Sequence, residues 1–146
     1  MRSLKLLSLF FVLLFAFTAC KKDDDPKASA SDAIIRTWQI QKMTAKVGGF
    51  EMVFYEKGKT DNVQDFSKFR LTFQKDGKYT GSDEEGNKTA GTWALKENNT
   101  KLVIDEGTAD SATFTVSKLS ASNLDYSLTQ TEDGVTSTVN FFMIPA

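Results

Sequence analysis

From Ala33 to the C-terminus, apolar and polar residues alternate with a period of two, and no window sustains a helical stripe. Trp38 and Ile40 share one face of a first strand, while Met43, Ala45 and Val47 follow in the opposite phase. A one-residue slip inside a long strand predicts a β-bulge, the device that bends strands at barrel corners. Gly48-Gly49 predicts a turn, after which Phe50, Met52 and Phe54 alternate. Residues 57–68 are polar and read as a loop or as one helical turn around Val63 and Phe66. Phe69, Leu71 and Phe73 alternate next and run into Lys75-Asp76-Gly77-Lys78, a hairpin signal. Tyr79 and Thr80 open the return strand, which Gly81 weakens, and residues 82–88 form an acidic loop. Gly91, Trp93 and Leu95 then share a face, and Glu97-Asn98-Asn99 turns the chain. Leu102 and Ile104, Phe114 and Val116, and Leu124, Tyr126 and Leu128 mark three further strands, with a loop over residues 106–110. Glu132-Asp133-Gly134 leads into a last strand bearing Val135, Val139, Phe141 and Met143, with Phe142 and Ile144 on its other face.

Eight or nine short strands of this kind, with turns at intervals of about 8–12 residues, describe an all-β barrel or sandwich. Sequential hairpins favour an antiparallel up-and-down barrel, which also removes exposed edges. About twenty apolar side chains fall on the favoured faces, each stabilising by roughly 1.5–3 kcal/mol when buried. Burial on that scale offsets the chain entropy of one domain, assigned to residues 33–146, without disulfides.

The N-terminal residues carry a different signal. Arg2 and Lys5 precede an apolar run over residues 6–17, broken only by Ser8, and the small residues Thr18 and Ala19 precede Cys20. A charged start, a short apolar run and a small-residue cleavage site make a secretory signal, assigned to residues 1–19. Twelve residues rise only about 18 Å as a helix, too short for a hydrocarbon core of about 30 Å. Phe17-Thr18-Ala19-Cys20 resembles the lipobox of bacterial lipoproteins, with Phe17 where Leu is usual. The resemblance implies that Cys20 is acylated and becomes the mature N-terminus; the plainer alternative is a free thiol beside an ordinary cleavage site. Lys21-Lys22-Asp23-Asp24-Asp25 resembles the lysine-plus-acidic signal of surface lipoproteins in Bacteroidetes-type bacteria, and otherwise reads as a solvated tether. Residues 20–32 thus form a lipidated cysteine with a flexible acidic linker. The expected location is the outer membrane, on the cell surface rather than the periplasmic face.

Composition excludes more chemistry than it suggests. One Cys among 146 residues rules out an internal disulfide or a Cys-rich zinc site. No His is present, which removes the usual general base and the commonest transition-metal ligand. Taking Arg2 and Lys5 from 18 basic side chains leaves 16 against 19 acidic, a formal −3 for the mature chain. Nothing in that balance supports a nucleic-acid partner. No cofactor is expected, and a monomer is.

At the level of strands the chain resembles the small lipocalin-like lipoproteins of Bacteroidetes-type bacteria. The matching stretches are Trp38, residues 69–79 (Phe-Arg-Leu-Thr-Phe-Gln-Lys-Asp-Gly-Lys-Tyr), Gly91-Thr92-Trp93-Ala94-Leu95, Lys101-Leu102-Val103-Ile104 and Phe142-Met143-Ile144-Pro145. The resemblance implies a lipocalin-like antiparallel barrel whose pocket holds a small apolar molecule. Two departures stand out. Lipocalins carry Gly two residues before the first-strand Trp, where this chain has Arg36. They also carry an Arg late in the chain that covers that Trp, whereas the last Arg here is Arg70.

The candidate ligand-contacting residues are Trp38, Phe54, Phe73 and Trp93. The alternative is that such aromatics plug the barrel as core, because an eight-stranded interior is only wide enough for side chains or one small ligand. Small residues Gly81, Gly91, Ala94 and Ala112, if clustered at one end, favour a cavity. Asp83-Glu84-Glu85-Gly86-Asn87 offers oxygen atoms to a hard cation, but its spacing is not that of an EF-hand, and no metal is assigned. Asp76 and Asp133 precede Gly in turns, which explains them without catalysis. Asp110-Ser111-Ala112 resembles the short O-glycosylation motif of the same bacteria, at Ser111. The leading reading is a non-enzymatic lipid-anchored binding protein for a small hydrophobic or amphipathic ligand. The second is a filled barrel whose loops bind a protein or glycan partner, and the third a hydrolase using carboxylates alone.

Overall fold

A computed structural model describes residues 30–146 of the chain. A five-residue helix α1 (Ala30–Ile34) leads into nine strands: β1 (Thr37–Val47), β2 (Phe50–Glu56), β3 (Arg70–Phe73), β4 (Lys78–Ser82), β5 (Lys88–Lys96), β6 (Lys101–Ile104), β7 (Ala112–Leu119), β8 (Leu124–Glu132) and β9 (Val135–Pro145). Every neighbouring pair is antiparallel, and β1 also pairs with β9. Eight strands therefore close into a barrel, with β2 as an extra strand added to the upper half of β1. The lower end of β1 pairs instead with β3, at Thr37↔Thr72 and Trp38↔Leu71. The all-β antiparallel barrel expected from the alternation, which the family resemblance implies to be lipocalin-like, is the fold observed. Residues 57–68 form a loop with no helical turn, and α1 extends into the segment expected to be linker.

Turn chemistry sets the hairpins. Gly48-Gly49 and Asp133-Gly134 are left-handed at both central positions, with φ of 55° and 93° and of 50° and 76°, the geometry that matches the twist of flanking strands. The phase slip of the first strand is also real. Against β9, the register of β1 shifts between Ile40 and Lys42, so Trp38 and Ile40 below the bulge and Met43 and Ala45 above it all face inward. A second bulge was not expected. Met43 pairs with Tyr55 and Thr44 with Val53, which leaves Phe54 as the extra residue and gives Tyr55 the inward position.

The lower end is solid. Ile34, Trp38, Ile40, Phe73, Leu102, Leu124 and Met143 are fully buried there. Helix α1 plugs this end, and its Ile34 carbonyl accepts a hydrogen bond of 2.8 Å from Trp38 Nε1. Arg36 lies with its guanidinium 5.5 Å from the Trp38 ring centre and donates to the Ala121 carbonyl. The cation that covers the tryptophan thus comes from two residues upstream on the same chain segment. The core cluster spans Ile34 to Met143 and the sheet closes on itself, so residues 30–146 are a self-contained folding unit.

The upper end is uneven. Strands β1, β8 and β9 have 11, 9 and 11 residues, whereas β3, β4 and β6 have only 4, 5 and 4. One wall therefore rises above the other, and at its top Phe50 is 84% exposed. Among the described residues no helix is long and apolar enough to cross a membrane. The expected signal segment, the lipobox-like stretch and Cys20 lie outside the described residues.

Candidate functional site

Going up the inner face from floor to mouth, the inward side chains of β5 and β7 become smaller. On β5 the inward series is Leu95, Trp93, Gly91 and Thr89, and on β7 it is Val116, Phe114 and Ala112. Gly81 stands between inward Leu71 and Thr89. Of the four small residues singled out, Gly81, Gly91 and Ala112 gather on the inner face; Ala94, paired with Val103, lies on the other phase. The room left at Gly91 is taken by the Asp105 carboxylate, and the inner face holds a cavity of about 300 Å³ lined by Phe69, Leu71, Tyr79, Thr89, Leu102, Ile104, Ala112, Phe114, Tyr126 and Phe141. That size is at the small end of the range for small-molecule sites. A larger groove of about 540 Å³ runs over β3–β5 across Arg70, Thr72, Thr80 and Lys88.

Part of the cavity lining is an aromatic panel from β7, β8 and β9. Tyr126 and Phe141 stack with ring centres 4.9 Å apart, and Phe114 meets Tyr126 edge-on at 5.2 Å. Burial pushes the Tyr126 phenol well above the ordinary tyrosine value.

The short wall carries the polar groups. Asp105 follows β6 with φ of 50°, a left-handed conformation that reverses its side chain toward the barrel. Its Oδ1 accepts a 2.7 Å hydrogen bond from the Thr92 backbone N–H, and its Oδ2 accepts one of 3.0 Å from the Tyr79 hydroxyl. Gly91 makes room for this carboxylate, since a Cβ there would stand 2.0 Å from Asp105 Oδ1. Burial raises the Tyr79 pKa, and the hydrogen bond to Asp105 and the charges of Asp105 and Asp110 raise it further. Asp105 and Tyr79 were not singled out in the sequence. The available signal was Gly91, an isolated glycine inside a strand, which marks the close approach of another group.

The four candidate ligand residues sit elsewhere. Trp38 and Phe73 are fully buried in the floor beneath the cavity. Trp93 donates from Nε1 to the Gln74 carbonyl at 3.0 Å and packs edge-on against Phe73 at 5.2 Å. Phe54 lies half-buried in the β2 bulge. The structure brings three of them together as floor packing, and none lines the cavity.

The acidic loop is occupied with itself. Asp83 accepts hydrogen bonds from the Asn87 amide at 2.9 Å and from the backbone N–H groups of Glu85 and Asn87. The Asn87 amide contributes most to holding the Asp83 carboxyl below its usual range. Among the described residues no group of three His, Cys, Asp or Glu side chains could hold a metal ion. Ser111 is exposed at the end of the loop after β6.

Comparison with known proteins gives one family and a set of distant folds. A family model described as a lipocalin-like domain matches residues 34–126. Among solved structures, the chain is similar to a lipocalin-like protein from Bacteroides uniformis, at 18% identity and a TM-score of 0.44, covering 73% of this chain and 96% of that one. It is similar to lobster apocrustacyanin A1 at 16% identity and a TM-score of 0.48, over 79% of this chain and 62% of that one. An uncharacterized protein from Bacteroides eggerthii matches at 16% identity and a TM-score of 0.38, over 74% and 98%. No curated protein matches the sequence.

Proposed function

The chain belongs to the lipocalin-like domain family, and from that membership we propose that it binds a small hydrophobic or amphipathic molecule in the upper half of its barrel. The lipocalin-like fold is typically one that holds small hydrophobic ligands without catalysis. The observation that carries the reading is the apolar cavity of about 300 Å³ in the upper half of the barrel, where Thr89 and Ala112 stand in place of the bulky inward residues of the floor. Nondenaturing mass spectrometry of residues 30–146, after incubation with a bacterial lipid and metabolite extract, tests it. A discrete added mass that disappears on denaturation is the expected result. A clean apo mass at every concentration overturns it and favours the filled barrel that works through its loops.

Lipid anchoring is part of the same proposal. Its support is the charged start, the apolar run over residues 6–17 and the lipobox-like Phe17-Thr18-Ala19-Cys20, followed by Lys21-Lys22-Asp23-Asp24-Asp25. Two or more acyl chains on Cys20 would hold the protein durably at an outer membrane, since each buried CH₂ contributes about 0.8 kcal/mol. Intact mass of the membrane-extracted protein should show a chain that begins at an acylated Cys20. Protease accessibility on whole cells distinguishes the cell surface from the periplasmic face.

A further inference from the structure

The apolar inner face does not end where the cavity does. Phe141 and Tyr126, a register pair on β9 and β8, both line the cavity. Two residues nearer the mouth on each strand stand Val139 and Leu128, again a pair. Val139 lies opposite Ala45 of β1, and Ala45 lies opposite Met52 of β2. In the next row Val47 stands between Phe50 and Ser137, with Gln130 beyond Ser137. No register shift interrupts these rows, so alternation carries all of these side chains to the face that lines the cavity. Their outward neighbours Lys46, Glu51 and Thr138 are polar, as a solvated outer face requires.

This inner patch is bare. Val47 and Met52 are 47% and 56% exposed, and Phe50 still more. Topology is the reason: β3 pairs with β1 only at Thr37 and Trp38, and β2 has β1 as its single neighbour, so no strand continues the sheet past β2 at this height. A contiguous apolar patch rimmed by polar side chains marks a binding surface. Its continuity with the cavity says what covers it. The cavity holds only about 300 Å³, so a ligand larger than that leaves it over Val139 and Leu128 and meets this patch next.

We propose that the ligand of this barrel is a long single-chain amphiphile with an uncharged head. The end of its chain lies among Phe114, Tyr126 and Phe141, its remaining length along Val139, Ala45, Met52 and Phe50, and its head emerges at Ser137 and Gln130. This rests on the binding reading above and names the class of ligand. A compact molecule fitted to the cavity leaves the patch in water, whereas a chain covers both surfaces and gains from each CH₂ in turn.

Equilibrium dialysis of residues 30–146 against the linear alkanols from octanol to tetradecanol tests the assignment on one uncharged head. Full burial of a CH₂ strengthens binding about fourfold. Because the patch covers one side of the chain, affinity should rise by at least about twofold per CH₂ across the whole series. Replacing Phe50→Ser together with Met52→Ser changes two exposed residues outside the cavity lining. That variant should leave octanol within about twofold and weaken tetradecanol by at least about tenfold. An affinity that stops rising partway through the series in the parent overturns the proposal and leaves the cavity reading standing, and that comparison needs no variant. A double variant that changes octanol and tetradecanol equally, or neither, also overturns it. A parent that sediments as a dimer, or together with phosphatidylcholine vesicles, while the double variant does neither, gives the patch to a second copy or to a bilayer and overturns it too. If no alkanol binds, the cavity reading itself fails and takes this one with it.

Discussion

The floor and the mouth of this barrel are built from the same strands with the same inward alternation, yet one is solid and the other hollow. At the floor, Trp38, Phe73, Leu124 and Met143 are fully buried under α1. At the mouth, Gly91, Thr89 and Ala112 occupy the equivalent inward rows of β5 and β7. The contrast lies in the inward rows of β5 and β7, where Thr89 and Ala112 line the cavity and Tyr126 and Phe141 on β8 and β9 complete its lining. The comparison separates two kinds of position, those where bulk holds the fold and those where its absence makes the site.

The largest expected effect lies in the floor. Trp38→Ala removes the ring that Ile34 caps and Arg36 covers, and should cost about 3–5 kcal/mol in chemical denaturation. Melting unchanged from the parent would show that the floor is not the structural half. Alkaline unfolding comes next. Burial holds the Tyr126 proton more tightly in the folded state than in the unfolded one, where tyrosine ionises at about pH 10. That contribution is fully present below about pH 10 and is lost as pH rises through the higher folded-state value. Tyr126→Phe should therefore flatten the fall of stability above about pH 10, read from denaturation midpoints across a pH series.

Strand β7 offers the sharpest contrast, because Val116 and Ala112 lie on one inner row. Val116→Phe overpacks the buried tier and should cost about 1–3 kcal/mol. Ala112→Leu points into the cavity and should change stability by less than about 0.5 kcal/mol while weakening the ligand adduct seen by nondenaturing mass spectrometry. Equal costs for the two would erase the distinction between floor and mouth. Tyr79→Phe removes one partly exposed hydrogen bond to Asp105 and should cost about 1 kcal/mol or less, visible as a small shift in melting temperature.

Much of this architecture is readable from alternation alone, because each strand buries one face. The β1 bulge is legible for the same reason, since Ile40 and Met43 can both be buried only if the strand slips. The second bulge is invisible in the sequence. Phe50, Met52 and Phe54 alternate perfectly, and only the pairing of Tyr55 with Met43 shows that Phe54 is the residue left out. Arg36 is a similar case. Its position two residues before Trp38 looks like a departure from the family pattern, and its chemistry emerges once both side chains stand on one side of the extended chain. The four aromatics chosen as ligand contacts are the same kind of residue as Phe69, Phe114 and Phe141, which do line the cavity, and alternation alone does not tell how high on the inner face each one stands. The contact of Asp105 with Gly91 is likewise hidden, because the two meet only through the pairing of β5 with β6.

The seam between β1 and β9 carries a consequence for how the chain acquires its shape. Trp38 finds Pro145 and Val47 finds Ser137 across that seam, so the first strand made must wait for the last. Its early partner is β2, joined by the Gly48-Gly49 turn within microseconds, as short hairpins are. Closure of the ring then demands contacts between the two ends of the domain, the kind of long-range pairing that slows β-rich folding. Until residues 135–145 arrive, the inward row of β1 has no lid on that side. The rate of folding should accordingly track the stability of this one seam more closely than that of any hairpin in the barrel.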